Sequence, residues 1–306
     1  MAARRVLVTG VSSGIGRRTA LALDRAGFEV WGTVRSERDV GRLMVDREHR
    51  IRPVRLELTD PGSIDRAAEQ VTAAGPLYGL VNGAGAAIPE PMELVEDRRV
   101  EELLRVNALG PLRLTQRLLP ALRQGRSVSG SARVIFVGSS ITRIPLPMFG
   151  PYGTCKHALV GLTDSLRAEL APERIKVILA EPVVFATSIW ARAARDAAEL
   201  RARGGDDRYA ALIAAAAPTA RLAYRYGQPP EQAAQRLVRL LTVAGPPPRI
   251  AIGRYARLVG ALFAVTPERV KAAVSAAPAT SVGGRLLRWF ADRAAGPALD
   301  VEDVRG

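Results

Sequence analysis

The sequence predicts a doubly wound α/β fold: a parallel sheet of about seven strands in a single domain, followed by a C-terminal helical extension. Two observations predict it. Short apolar runs of strand length recur at Arg5–Val8, Val30–Val34, Val54–Leu58, Leu80–Val81, Val134–Val137, Val177–Ala180 and Ile250–Ile252, separated by longer segments of helical periodicity. The runs are also continuously apolar rather than alternating, as strands of a sheet buried on both faces must be, with the intervening helices as the covering layers.

The elements follow in order. After the first run comes Thr9-Gly10-Val11-Ser12-Ser13-Gly14-Ile15-Gly16, then a helix through Arg17–Ala26 that stops at Gly27. In such a strand-to-helix turn Gly10 permits the tight bend, Gly14 lets backbone N–H groups approach a pyrophosphate, and Gly16 lets the helix pack close to the strand. The helix N-terminus attracts the anion. Further on, an apolar helix is expected over Leu103–Leu122 with Asn107 inside it, and another over Pro151–Leu170. The Pro-rich stretch from Ala244 to Arg249 is short enough to be a turn into the last strand. From about Gly253 the pattern changes to two amphipathic, Arg-bearing segments, Tyr255–Val274 and Arg285–Ala294, which sets a domain at 1–253 and an extension at 254–306.

Composition narrows the function. The formal charge is +14, but only Lys156, Lys176 and Lys271 among the 44 basic residues are lysines, and the arginines are scattered rather than clustered. Aromatics make up 5% and do not alternate with basic residues, which argues against a nucleic-acid surface. A single cysteine, Cys155, leaves no disulfide framework, and two histidines without an acidic or thiol cluster leave no metal site. The start, Met-Ala-Ala-Arg-Arg into Val6-Leu7-Val8, is too short an apolar run for a signal peptide, and no run of about 18 apolar residues could span a bilayer. A soluble cytoplasmic protein is expected.

Tyr152 and Lys156 stand four apart near the start of the Pro151–Leu170 helix, so both project from one face. A phenol is a poor acid or base at neutral pH, and a nearby ammonium stabilises the phenolate and moves its pKa towards the working range. Gly138-Ser139-Ser140 ends the fifth strand, and either hydroxyl could polarise a carbonyl. Asn107, if buried, needs partners: it either satisfies interior backbone groups or holds a water of a proton relay.

The spacing Thr-Gly-x-x-x-Gly-x-Gly at Thr9–Gly16 resembles the short-chain dehydrogenase/reductase family, whose sheet is of Rossmann type. Leu80-Val81-Asn82-Gly83-Ala84-Gly85 is similar to that family's Asn-Asn-Ala-Gly, Val106-Asn107 to its helix asparagine, and Tyr152-Gly153-Thr154-Cys155-Lys156 to its Tyr-x-x-x-Lys. The resemblance covers about residues 4–255 and is to NADP(H)-preferring 17β-hydroxysteroid and retinol dehydrogenase-like members. It implies a hydride-transferring oxidoreductase acting on a carbonyl or alcohol, with Tyr152 passing the proton, Lys156 also holding the nicotinamide ribose, Asn107 in the relay and Ser139 as the catalytic serine. Ser139 lies thirteen residues before Tyr152, with Thr142 at a usual glycine and Ser140 in reserve. For the cofactor it implies contacts from Gly10, Ser12, Ser13, Gly14, Ile15, Gly16, Arg35, Glu57, Leu58, Asn82, Ala84, Gly85, Tyr152, Lys156, Pro182 and Thr187.

Cofactor choice rests on Arg35, just after the second strand, where a ribose 2′-phosphate needs a cation and a free hydroxyl prefers a carboxylate. With Ser12 as an added donor, NADP(H) is expected. Glu57 stands where relatives place an aspartate near the adenine. Two departures from the family pattern stand out. Val183 replaces the glycine after Pro182, where a β-branched residue resists a positive φ, and Gly83 replaces the second asparagine. Both leave open a member that moves protons without net redox, such as an epimerase, dehydratase or cyclase. The segment Ser188–Tyr226, rich in Ala with Ile189, Trp190 and Leu212, is expected to cover an apolar small-molecule substrate. A homodimer or homotetramer through Glu93–Leu122 and Pro151–Leu170 is expected. For the extension, packing on the domain is favoured over lying on an anionic membrane surface.

Overall fold

The structure is a computed structural model, and it describes residues 4–45, 50–143, 145–204, 207–254, 256, 261–262 and 265–276. Seven parallel strands run β1 (Arg5–Val8), β2 (Glu29–Val34), β3 (Arg52–Arg55), β4 (Gly79–Asn82), β5 (Ala132–Val137), β6 (Ile175–Pro182) and β7 (Arg249–Ile252). Their spatial order is β3-β2-β1-β4-β5-β6-β7. β1 is flanked by β2 and β4, so the connections leaving β1 and β4 diverge and open a crevice above their carboxyl ends.

The strands bury both faces because successive side chains point opposite ways and each face is apolar. Leu7, Leu80, Val134 and Phe136 pack under α3 (Pro61–Ala73), α5 (Gly110–Ser129) and α6 (Gly150–Leu170), through Ile64, Leu114, Leu118 and Leu159. Val6, Val8, Val81, Ile135 and Ile178 pack on the other side against α1 (Gly14–Arg25) and α9 (Pro230–Thr242), through Ala20, Leu23, Leu237 and Leu241. The remaining helices are α2 (Glu37–Val45), α4 (Asp97–Leu104), α7 (Ser188–Ala202), α8 (Ala210–Arg225) and α10 (Glu268–Ala276). A third cluster forms above the carboxyl end of the sheet, where Ala193, Ala194, Ile213 and Ala216 of α7 and α8 meet Ile141, Met148 and Phe149.

The architecture agrees with the sequence, and several boundaries are corrected. The third strand ends at Arg55, not Leu58. After it the chain makes one more ladder-like bond, Leu56 N–H to Val34 O at 2.9 Å, and then turns at Glu57–Asp60 towards the Asp60 cap of α3. The helix expected over Leu103–Leu122 is three pieces: α4, a π-helical turn at Arg105–Leu109, and α5. The first helix starts at Gly14 instead of Arg17, since the glycine turn itself enters the helix. In the extension the chain bends at Thr266 and Pro267 before α10, because Pro267 cannot continue a helix. Leu262, Val265 and Val270 are exposed there, whereas Ala256 is buried. Leu258, Val259, Phe263 and the segment Arg285–Ala294 lie outside the described residues.

Candidate active site

The crevice is built from the loops after β1, β4, β5 and β6. Gly10 adopts φ +76° and donates its N–H to Thr33 Oγ1 at 3.1 Å, anchoring the turn on β2. A Cβ on Gly16 would lie 2.3 Å from the Gly10 carbonyl oxygen, so only glycine lets α1 enter this close to the strand. The first turn of α1 carries no acidic side chain. The N-terminus of this helix and its dipole therefore face the crevice unopposed by a carboxylate on that turn.

The neighbouring loops close around this cradle. The Thr9 hydroxyl accepts from Gly83 N and Ala84 N, both at 3.0 Å. Ser13 Oγ shares a hydrogen bond of 2.8 Å with Ser188 Oγ, and Thr187 stands against Gly14. Ser12 is exposed on the loop, Ile15 is half-buried and Pro182 is buried at the end of β6. Buried Asn82 donates to Thr115 Oγ1 at 3.2 Å, while its Oδ1 accepts no hydrogen bond. An unopposed helix N-terminus, a glycine cradle and an idle amide acceptor suit a dinucleotide with a pyrophosphate and donor groups.

Arg35 lies exposed beyond β2 and lines a cavity of about 520 Å³ with Arg55, Glu57, Asp60, Ser63 and Arg66. Arg55 and Arg66 have no sequence motif to mark them. Arg55 arrives through the β2–β3 register, which pairs it with Val34 beside Arg35. Glu57 turns its Oε1 to Thr59, accepting from the Thr59 N–H at 3.3 Å and its hydroxyl at 3.1 Å. Leu58 points its side chain into the core, so of this pair only Glu57 lines the cavity.

Across the crevice, Ser139 caps the short 3-10 turn Ser140–Thr142, its hydroxyl accepting from Ile141 N at 3.3 Å, and the same side chain lowers the pKa of the Tyr152 phenol. Lys156 is buried one turn along α6, donates to Val137 O at 2.9 Å, and holds its Nζ 5.5 Å from the centre of the Tyr152 ring. Burial pushes the Tyr152 phenol up to about 12, against this lowering by Ser139. Burial pushes Lys156 down to about 8. In this structure, with the ammonium bonded to the Val137 carbonyl, desolvation of the phenolate is the largest influence on Tyr152.

Asn107 sits in the π-helical turn, fully enclosed. Its Nδ2 donates to Ala86 O and Leu103 O, both at 3.0 Å, and its Oδ1 accepts from Ala86 N at 3.3 Å. The side chain is thus occupied with interior backbone, one of the two readings open from sequence. It also abuts Gly85, where an added Cβ would fall 2.9 Å from Asn107 Oδ1 and 3.7 Å from Lys156 Nζ.

Val183 causes no strain. Among the described residues only Met148 and Arg174 are non-glycine residues with positive φ, and Val183 donates its N–H to Ile252 O at 3.0 Å in ordinary ladder fashion. Room for its side chain comes from Gly253, where an added Cβ would lie 2.2 Å from Val183 Cγ2. A glycine lost from one strand end is matched by a glycine at the neighbouring strand end.

Among the described residues no helix is long and apolar enough to cross a membrane. The family profile for short chain dehydrogenase matches residues 4–198. Human 11-beta-hydroxysteroid dehydrogenase type 2 is 38% identical over 61% of this chain and 46% of its own length. NADPH-dependent 3-dehydrocapnine reductase of Ornithobacterium rhinotracheale is 33% identical over 62% of this chain and 68% of its own. The crystal structure of a short-chain dehydrogenase from Streptomyces avermitilis superposes with a TM-score of 0.72 and 28% identity over 90% of this chain and 96% of that one. The glycine turn, the Tyr152–Lys156 helix and all but the last strand of the sheet lie within the matched residues, and the chain belongs to the short-chain dehydrogenase family.

Proposed function

We propose that this protein is an NADP(H)-dependent oxidoreductase that interconverts an apolar ketone and its alcohol. The observation that carries the reading is the Tyr152–Lys156 pair on α6, with the buried Lys156 Nζ 5.5 Å from the centre of the Tyr152 ring and bonded to Val137 O at the end of the strand that leads to Ser139. The cradle of α1, Asn82, Thr187 and Lys156 would hold the cofactor, with Arg35 at the adenosine 2′-phosphate. When bound, the nicotinamide supplies or accepts the hydride.

The chain's own residues supply the rest. Ser139 polarises the substrate oxygen, and Tyr152, protonated at neutral pH, donates its proton to that oxygen as a carbonyl is reduced. Lys156 orients the site through its hydrogen bond to Val137 O. The third apolar cluster, with Ile189, Trp190 and Leu212 packed against it next to Tyr152, excludes water and favours an apolar substrate. Reductase and dehydrogenase names among the relatives accord with net redox, and the ordinary backbone at Val183 removes one of the two reasons for a non-redox reading.

The test is consumption of NADPH, followed by its absorbance, on adding hydrophobic cyclic and aryl ketones. Stoichiometric oxidation with alcohol formation is expected; conversion of substrate without cofactor turnover would overturn the redox reading.

A further inference from the structure

We propose that Glu181 is a positioning residue for Ser139, acting through Thr142 and Arg143; this rests on the role given to Ser139 above. Glu181, near the carboxyl end of β6, is a carboxylate with no solvent exposure, and it accepts from three side chains at once. Thr142 Oγ1 donates to Oε1 at 2.6 Å, Arg143 reaches Oε2 from Nε at 3.1 Å and from a terminal nitrogen at 2.8 Å, and Arg249 bridges both oxygens at 2.6 and 2.9 Å. A buried charge this fully bonded has one geometry, because any rotation leaves a charged group without a partner.

Two of those three donors belong to the segment that carries Ser139. Thr142 and Arg143 close the short turn after Ser139, with Thr142 N–H on Ser139 O at 3.4 Å and Arg143 N–H on Ser140 O at 2.9 Å. On the other side, the aliphatic stem of Glu181 lies against Gly138, where an added Cβ would meet Glu181 Cγ at 3.4 Å. Glu181 thus brackets residues 138 to 143, pressing on the residue before Ser139 and gripping those that follow. Arg249 ties the bracket to β7. The consequence is that the Ser139 hydroxyl meets Tyr152 at a place set by the sheet rather than by a loop.

Glu181 touches neither Ser139 Oγ nor Tyr152 in any hydrogen bond, so its effect must pass through the serine. A misplacement of about 1 Å in such a group can cost about a hundredfold in rate.

A double-mutant cycle tests the inference. E181Q and, as a gentler change that keeps the buried charge, T142V are each made in the wild type and in S139A, and kcat, KM and NADPH affinity are measured with a hydrophobic ketone as probe. In the wild-type background both are expected to lower kcat, E181Q by about tenfold or more, with KM and NADPH affinity within about twofold; T142S is expected to restore the T142V loss. In S139A neither is expected to lower kcat further. Equal losses in both backgrounds, or T142V and E181Q at wild-type kcat, would overturn the positioning role. A wild-type kcat for S139A itself would instead overturn the role assigned to that serine.

Discussion

Lys156 donates to the carbonyl of Val137 at 2.9 Å, one helical turn from Tyr152 and at the end of the strand that leads to Ser139. The bond ties helix α6 to the sheet and takes the ammonium out of water. Burial holds its pKa down at about 8, against an ordinary value of 10.5. Between about pH 8 and 10.5 the unfolded chain therefore binds a proton here that the folded chain does not, and stability attributable to this site rises with pH across that window. Tyr152 works in the opposite direction only above about pH 10, since its folded value is raised to about 12. Urea unfolding of wild type and Lys156→Met at pH 8 and pH 10 is expected to show the wild type gaining roughly 2 kcal/mol on the variant. A difference that stays flat would show the ammonium to be better solvated than its burial implies.

Tyr152→Phe is expected to bind NADPH as the wild type does and to lose turnover by orders of magnitude, because the proton donor goes while the cradle is untouched. Fluorescence titration with NADPH and steady-state rates measure the two halves separately. Turnover within a few-fold of wild type would sink the acid role.

Arg35 is the exposed cation nearest in sequence to the end of β2, and it shares its cavity with Arg55 and Arg66. Wild type is expected to prefer NADPH to NADH, and Arg35→Ala to erase most of that preference while changing NADH affinity little. Arg55 is already paired with Glu37 at 2.8 Å, so its loss is expected to matter less. Equal wild-type affinities for the two cofactors would defeat the NADP(H) assignment.

Self-association is expected through α5 and α6, and Leu109, at the junction of the π turn and α5, is 55% exposed although apolar. Sedimentation velocity at micromolar concentration should give a dimer or tetramer, and Leu109→Glu should shift it towards monomer. A monomeric wild type would count against the assembly.

What was legible in the sequence is what depends on neighbours along the chain. The strand-to-helix glycine turn, the seven apolar runs and the four-residue spacing of Tyr152 and Lys156 are local patterns, because a helix repeats every 3.6 residues and a buried strand must be apolar on both faces. What only tertiary structure decided are contacts between residues far apart in the chain. The register of β3 on β2 carries Arg55 to the cavity of Arg35. The π-helical turn sets Asn107 onto Ala86, 21 residues away. Gly253 admits Val183 from a different strand, and Glu181 collects Thr142, Arg143 and Arg249 from two other segments. The balance at Tyr152 belongs to the same group: spacing places an ammonium one turn away, but whether charge or desolvation governs the phenol depends on where that ammonium points and how deeply both are enclosed, and neither is written in the order of residues.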